Sequence, residues 1–382
     1  MGPKMILRFL YLLRRFTLSA RRNRRQALID RIRDQFYVQC WKEAAEATGS
    51  TLVPVDENYF RVVHGGGSRD VCVSRNLNPL DSGATLALAD NKMASYRLLE
   101  QAEIPTPEHV VLRSSDKQAA LDFLKSAKGC VVVKPAAGTG GGAGVTTGVA
   151  TPSQLRHAMA WAGAYNDKVI VERNVGGETF RLVYLDGKLL DCVMRRSPRL
   201  VGDGILTVQK LVDQENKRRL EEGFKRAQSL LGVDCDMKAT LAAQGLGLGS
   251  VPANGWQFKV KRVVNDNIGA ENISMAHLLC DAVINTGRTV ANIFGLRLVG
   301  IDVITTDPSL PLRETSGAVI DVNGDPGFYY HYYKNEGRVP LAEHILREAI
   351  ATCVSIDMRV NSSTLLNDRR APQPLAAQGG FP

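Results

Sequence analysis

Five glycines crowded into seven positions, between two apolar runs, constrain this chain more than any other feature. Gly138, Gly140, Gly141, Gly142 and Gly144 follow GCVVVKP (129–135) and precede VTTGV. An apolar run of that length, bounded by glycine, predicts a strand buried on both faces. Glycine tolerates positive φ and lets backbone N–H groups approach a phosphate closely. A Walker A loop needs a Lys-Ser/Thr pair after its last glycine, and none is present. A dinucleotide-binding turn needs a helix directly after the glycines, whereas VTTGV reads as a strand and GTGGGA matches only loosely. A flexible linker fits poorly between two strands. The preferred reading is a flexible hairpin that covers phosphate.

A second cluster of polar residues lies near the C-terminus. Asp302 stands in GIDVIT, and Asp321 and Asn323 alternate in VIDVN, which puts both on one strand face. Two carboxylates and an amide oxygen are hard ligands suited to Mg²⁺. An acidic pair on strands is more often structural, but here it accompanies a phosphate loop and two isolated lysines, Lys92 and Lys134.

The rest of the chain alternates helix and strand and then adds antiparallel hairpins, which predicts a mixed α/β (α+β) multi-domain enzyme. Residues 34–65 read as helix then strand, 88–102 as a helix capped by Asp90 or Asn91, and 115–127 as a helix. Thr151 is placed to cap the next helix, and Asp186-Gly187 marks a hairpin. Charged helical residues of about 214–230 and a helix of about 274–294 follow. The expected division is a basic arm (1–33), a small α/β region (34–87) and a main domain (88–350) split near 167/168, with a disordered tail (360–382).

Charge separates the arm from the body. The chain of 382 residues carries a net +9, and residues 1–33 hold ten basic residues and one acid, leaving 38 of each sign in 34–382. A neutral body argues against dedicated nucleic-acid binding. The arm lacks the uninterrupted apolar stretch and cleavage site of a secretory signal, and Ile6 breaks the myristoylation pattern. Apolar positions 6, 9, 10, 13 and 16 share one helical face, as on a helix lying on anionic lipid or against its own domain. Met5 could also be an alternative start. No stretch of 18 apolar residues occurs, and seven scattered cysteines without C-x-x-C suggest reduced thiols and a cytoplasmic setting, peripheral to the membrane if the arm binds lipid.

From about residue 88 to 345 the order of motifs resembles the ATP-grasp superfamily, specifically the ATP-dependent ligase domain of cyanophycin synthetases, and also glutathione synthetases and D-alanine–D-alanine ligases. The residues that carry it are DNKMASYRLLEQAEIPTP, VVVKP with the glycine hairpin, VIVERNVGGETFRLVYLDGKL, RRSPRLVGDGILTVQKLVDQEN, GIDVI and VIDVNGDPG followed by His331. Cyanophycin synthetases carry a further N-terminal region and a Mur-ligase-like domain. Both are missing here, which argues against polymer synthesis by this chain alone. Asp321 stands where the family usually has Glu, and Ala270 replaces the second glycine of a basic-Asn-Gly-Gly loop in KRVVNDNIGAEN.

The resemblance implies an ATP-grasp fold, with nucleotide held between two α+β subdomains, and ligation of a carboxylate to an amine through an acylphosphate. Lys92 and Lys134 would hold phosphates under Gly140, Gly141, Gly142 and Gly144. Glu172, Arg173 and Val175 would lie by the adenine, and Glu178 would accept the ribose hydroxyls. Asp302, Asp321 and Asn323 would bind one or two Mg²⁺, or Mn²⁺ in their place. Arg181, Arg196 and Arg262 would meet the transferred phosphate or the substrate carboxylate, since guanidinium matches those shapes. His331 could contact an amino-acid substrate or pack in an aromatic turn, so no histidine is assigned to catalysis. Expected partners are ATP with an amino acid or short peptide, an anionic membrane or acidic partner for the arm, and a second copy in a homo-oligomer. The competing expectations are a phosphotransferase and a non-catalytic nucleotide-binding protein attached through the arm.

Overall fold

Helix α1 (30–47) turns one apolar stripe inward, burying Ile32, Phe36, Cys40, Trp41, Ala44 and Ala45 at helical spacing. The computed structural model describes residues 30–65, 69–139, 142–223, 229–262 and 271–352. The arm up to residue 29, Gly140, Gly141 and the 360–382 tail lie outside the described residues. Helix α1 begins before residue 33, so the boundary drawn there from charge alone falls inside a helix.

After α1 come strands β1 (Thr51–Pro54), β2 (Phe60–His64) and β3 (Arg69–Val73), a three-stranded antiparallel sheet. Helices α2 (Gly83–Asp90) and α3 (Lys92–Gln101) follow. The expected single helix breaks at Asn91, whose backbone is extended and whose Oδ1 accepts from the Ala94 N–H, capping α3.

The glycine-rich segment connects two strands of a four-stranded antiparallel sheet. Its order is β4 (His109–Arg113), β7 (Lys168–Arg173), β5 (Val131–Pro135) and β6 (Thr146–Val149). Helices α4 (Lys117–Ser126) and α5 (Pro152–Gly163) cover it, α5 entered through a capping box of Thr151 and Gln154. Strand β7 lies between β4 and β5, so the expected division at 167/168 falls inside this sheet. The chain leaves it after Arg173.

The second sheet has five strands in the order β12 (Asn272–Ser274), β9 (Lys188–Arg195), β8 (Glu178–Leu185), β13 (Leu298–Thr305) and β14 (Ala318–Asn323). Asp186 and Gly187, both at positive φ, close the β8–β9 hairpin. Between β9 and β12 an insert carries β10 (Arg199–Val201), α6 (Val208–Glu221), α7 (Cys235–Ala242) and β11 (Gln257–Lys259) around its own small core. Thr207 caps α6, which sets it several residues ahead of the charged stretch expected to be helical. The long helix expected at 274–294 instead starts as α8 (Asp281–Phe294), because 272–274 pair with β9. The chain ends in short α9 (Tyr329–Tyr332) and α10 (Leu341–Ala351).

Both faces of the five-stranded sheet are used, which explains the apolar run in β8. Leu182 and Tyr184 face α8 and α3, while Val183 and Leu185 face α1 and α10. The face bearing Val183, Val193 and Leu298 continues along the strands into Arg181, Arg195 and Asp302. Half of that face is core and half is site. Among the described residues no helix is long and apolar enough to cross a membrane.

Candidate nucleotide site

A cleft of about 980 Å³ opens between the two larger sheets. Among the described residues, nine Lys and Arg side chains and six Asp and Glu line it, a net of +3, whereas residues 34–382 as a whole are neutral. Of the residues expected from sequence, Lys92, Lys134, Gly142, Glu172, Arg173, Val175, Glu178, Arg181, Arg262, Asp302, Asp321 and Asn323 all line this one space. Gly144 does not. It packs beside Pro135 and Tyr165, where a Cβ would come within 2.6 Å of Pro135.

Register builds the acidic end. Asp302 is the cross-strand partner of Arg181 on one side and of Asp321 on the other. Pairing shifts between Asp302 and Val303, leaving Ile320 as a bulge, so that Val319 and Val322 both reach the core while Asp321 and Asn323 turn to the cleft. Gly300 leaves room for Arg181 to lie across the sheet, since a Cβ there would meet its Nη1 at 3.0 Å.

The buried Asp302 carboxylate takes two bonds from Arg181, at 2.5 and 2.9 Å, and an ion pair from Arg195 at 2.8 Å. Burial would raise its pKa, but the two guanidinium groups outweigh that and hold it at about 2. Lys92 pairs with Asp321 at 2.5 Å. Burial alone would lower the Lys92 pKa, and the Asp321 charge overcomes that and raises it. At the other wall Lys134 pairs with Glu172 at 2.8 Å, and both bond the Tyr96 hydroxyl.

Two side chains enter that sequence reasoning passed over. Arg195 is 1% exposed and lines the cleft, whereas its neighbour Arg196 is not among the lining residues and pairs with Glu271 at 3.0 Å. Strand alternation decides between them, and the signal was available: Arg195 shares the parity of Val193, and Arg196 does not. Tyr330, under both Arg181 and Arg195, is the second, with its ring centroid 5.9 and 5.1 Å from the two guanidinium carbons. His331 is fully buried and bonds Asp191 through Nδ1 at 2.7 Å, while Lys334 holds the other Asp191 oxygen. Burial, only partly opposed by Asp191, lowers the His331 pKa. It is not among the residues lining the cleft.

The donor set fits a triphosphate and a hard metal ion. Nε, Nη1 and Nη2 of Arg195 are buried without a hydrogen-bond acceptor, although Nη2 pairs electrostatically with Asp302. Buried donors of this kind call for an acceptor. Asp302, Asp321 and Asn323 offer hard oxygens side by side. Among the described residues no three His, Cys, Asp or Glu side chains are placed to hold a metal by themselves.

No family model matches the chain. Over 252 residues it is 27% identical to the cyanophycin synthetase of Trichormus variabilis, covering 65% of this chain and 28% of that protein. Over 291 residues it is 25% identical to the glutathione biosynthesis bifunctional protein GshAB of Pasteurella multocida, covering 74% of this chain and 38% of that protein. The crystal structure of a bifunctional glutathione synthetase from Pasteurella multocida superposes with a TM-score of 0.52 at 22% identity, over 82% of this chain and 43% of that one. The chain thus spans well under half the length of these relatives. With its two sheets facing across a cleft, it has the ATP-grasp fold and resembles ATP-grasp ligases in sequence.

Proposed function

We propose that this chain is an ATP- and Mg²⁺-dependent carboxylate–amine ligase that forms an amide or peptide bond on an amino acid or short peptide. The observation that carries the reading is the convergence of Lys92, Lys134, Arg181, Arg195, Asp302, Asp321 and Asn323 on one cleft. Activation of a carboxylate as an acylphosphate is the chemistry that ATP supplies when bound. Lys92 and Lys134 would hold its phosphates, with Gly142 and its neighbours over them. Glu172, Arg173 and Val175 would border the base, and Glu178 the ribose. Asp302, Asp321 and Asn323 would hold Mg²⁺, or Mn²⁺, together with phosphate oxygens, because hard cations of this kind are shared between carboxylates and substrate phosphates. Arg181, Arg195 and Arg262 would neutralise charge on the transferred group and on the substrate carboxylate; phosphoryl transfer is mostly positioning and charge neutralisation.

Residues 1–29 carry eight basic residues and no acid, and they are proposed to set location, on anionic lipid or an acidic partner, in a cytoplasmic protein. A homo-oligomer is proposed on the same footing, from the sequence expectation alone. The decisive experiment incubates the purified chain with ATP, Mg²⁺ and pairs of amino acids and peptides, reading ADP release and product mass. Magnesium-dependent ADP release with a new amide supports the reading, and Lys134→Ala abolishes both. A phosphate ester in place of an amide would make it a phosphotransferase, and no turnover a nucleotide-binding protein.

A further inference from the structure

Tyr96 lies within DNKMASYRLLEQAEIPTP but has no role read from the sequence, yet its hydroxyl lies at the centre of the nucleotide wall. It is 2% exposed, donates to Glu172 Oε2 at 2.8 Å and accepts from Lys134 Nζ at 2.7 Å. Lys134 and Glu172 belong to β5 and β7 of the four-stranded sheet. Tyr96 belongs to α3, which packs on the five-stranded sheet with Phe180, Val290 and Val299 in one core. The same oxygen is 3.3 Å from the carbonyl of Ile320, the bulge residue beside Asp321. One turn earlier on α3, Lys92 reaches Asp321 itself. Residues four apart share a helix face, so a single face of α3 serves both walls of the cleft.

We propose that Tyr96 is a positioning residue that fixes Lys134 and Glu172 in one geometry and ties the pair to the metal-binding strand through α3. The proposal rests on the nucleotide reading above and assigns Tyr96 no contact with the reacting atoms. A phenol suits this place because it can accept from an ammonium and donate to a carboxylate at once. Burial, reinforced by the Glu172 charge, raises its pKa and keeps it a donor. With both bonds made, the third face of the Lys134 ammonium and Oε1 of Glu172 remain for ligand. Without the phenol, Lys134 and Glu172 still pair but are free to rotate together, and ligand binding must order them.

Tyr96→Phe removes the hydroxyl and keeps the ring in the core. Titrated with ATP and Mg²⁺, this variant is expected to bind about tenfold more weakly, since a hydrogen bond to a charged group is worth roughly that factor. In turnover the loss falls on KM for ATP, while kcat stays within about threefold. Met93→Ala, on the same helix and packed against the same core without lining the cleft, is the control. It lowers the thermal midpoint and keeps wild-type affinity. Wild-type ATP affinity in Tyr96→Phe overturns the assignment, as does a loss confined to kcat. Met93→Ala weakening binding as much as Tyr96→Phe also overturns it, because helix packing would then account for the effect. A wild-type chain that binds no ATP overturns the nucleotide reading and this assignment together.

Discussion

Asp302 and Arg181 face each other across adjacent antiparallel strands and make a two-point contact, Nε to Oδ1 at 2.5 Å and Nη2 to Oδ2 at 2.9 Å. Both side chains are almost wholly buried. A buried carboxylate that neutralises two guanidinium groups serves structure as well as any metal. Asp302→Asn therefore leaves Arg181 and Arg195 with uncompensated charge, and the expected cost is about 3–5 kcal/mol. Denaturant unfolding measures it, together with loss of ATP-dependent amide formation.

The same pair fixes a pH dependence. The Asp302 pKa is about 2 in the folded chain and about 3.9 in an unfolded one, so the folded state favours the ionised form. That contribution, about 2–3 kcal/mol, is present above pH 4 and is lost as pH falls through 2. Stability measured between pH 5 and 2 should fall faster in the wild type than in Asp302→Asn. Parallel curves would show that the ion pair does not stabilise the fold.

Arg195 and Arg196 separate cleanly by experiment. Arg196 is exposed and pairs with Glu271, an interaction worth about 0–1 kcal/mol at a surface. Arg196→Ala is expected to change turnover by less than about twofold. Arg195→Ala removes the buried donors and a partner of Asp302, and turnover should fall by about a hundredfold or more. The reverse ranking would exchange their roles.

How far the sequence could be read follows from these residues. The glycine hairpin, the two lysines and the strand-end carboxylates were legible because each is an unusual residue type at a fixed offset from an apolar strand. Arg195 and Arg196 are adjacent and identical; parity with Val193 separates them, but which parity of β9 faces the cleft is set by its pairing with β8 and, beyond it, β13. Tyr96 and Tyr330 are core aromatics; Tyr96 acts through its hydroxyl and Tyr330 through its ring face, on partners that are distant in sequence. The boundary after Arg173 was hidden for the same reason, because β7 inserts between strands that precede it in sequence.

The resemblance read from the sequence leads one to expect Glu where this chain has Asp321. Its partner Lys92 reaches it at 2.5 Å, and the Ile320 bulge aims it into the cleft. If its carboxylate binds metal, Asp321→Glu keeps a carboxylate on the same bulge and should retain turnover, whereas Asp321→Ala should lose it. Titrating Mg²⁺ in each variant checks this through the metal concentration at half-maximal rate. Equal loss in both variants would argue for a Lys92 counter-ion and against a ligand.

Gly148 offers a route to Arg262 that leaves the arginine itself intact. Gly148 lies on β6 with φ +64°, and a Cβ built there would stand 1.8 Å from Arg262 Nη1. The arginine reaches the cleft from the insert, and Asp236 holds the two elements together, accepting from Thr147 Oγ1 at 2.9 Å and from the Arg262 backbone N–H at 3.1 Å. Gly148→Ala should cost about 1–2 kcal/mol from the left-handed backbone. The flexible guanidinium end, the cheaper group to move, should swing away. Its effect on turnover should then match that of Arg262→Ala, and the double variant should show no further loss, since both act on one group. Additive losses would mean that Gly148 matters for the hairpin and not for the arginine above it.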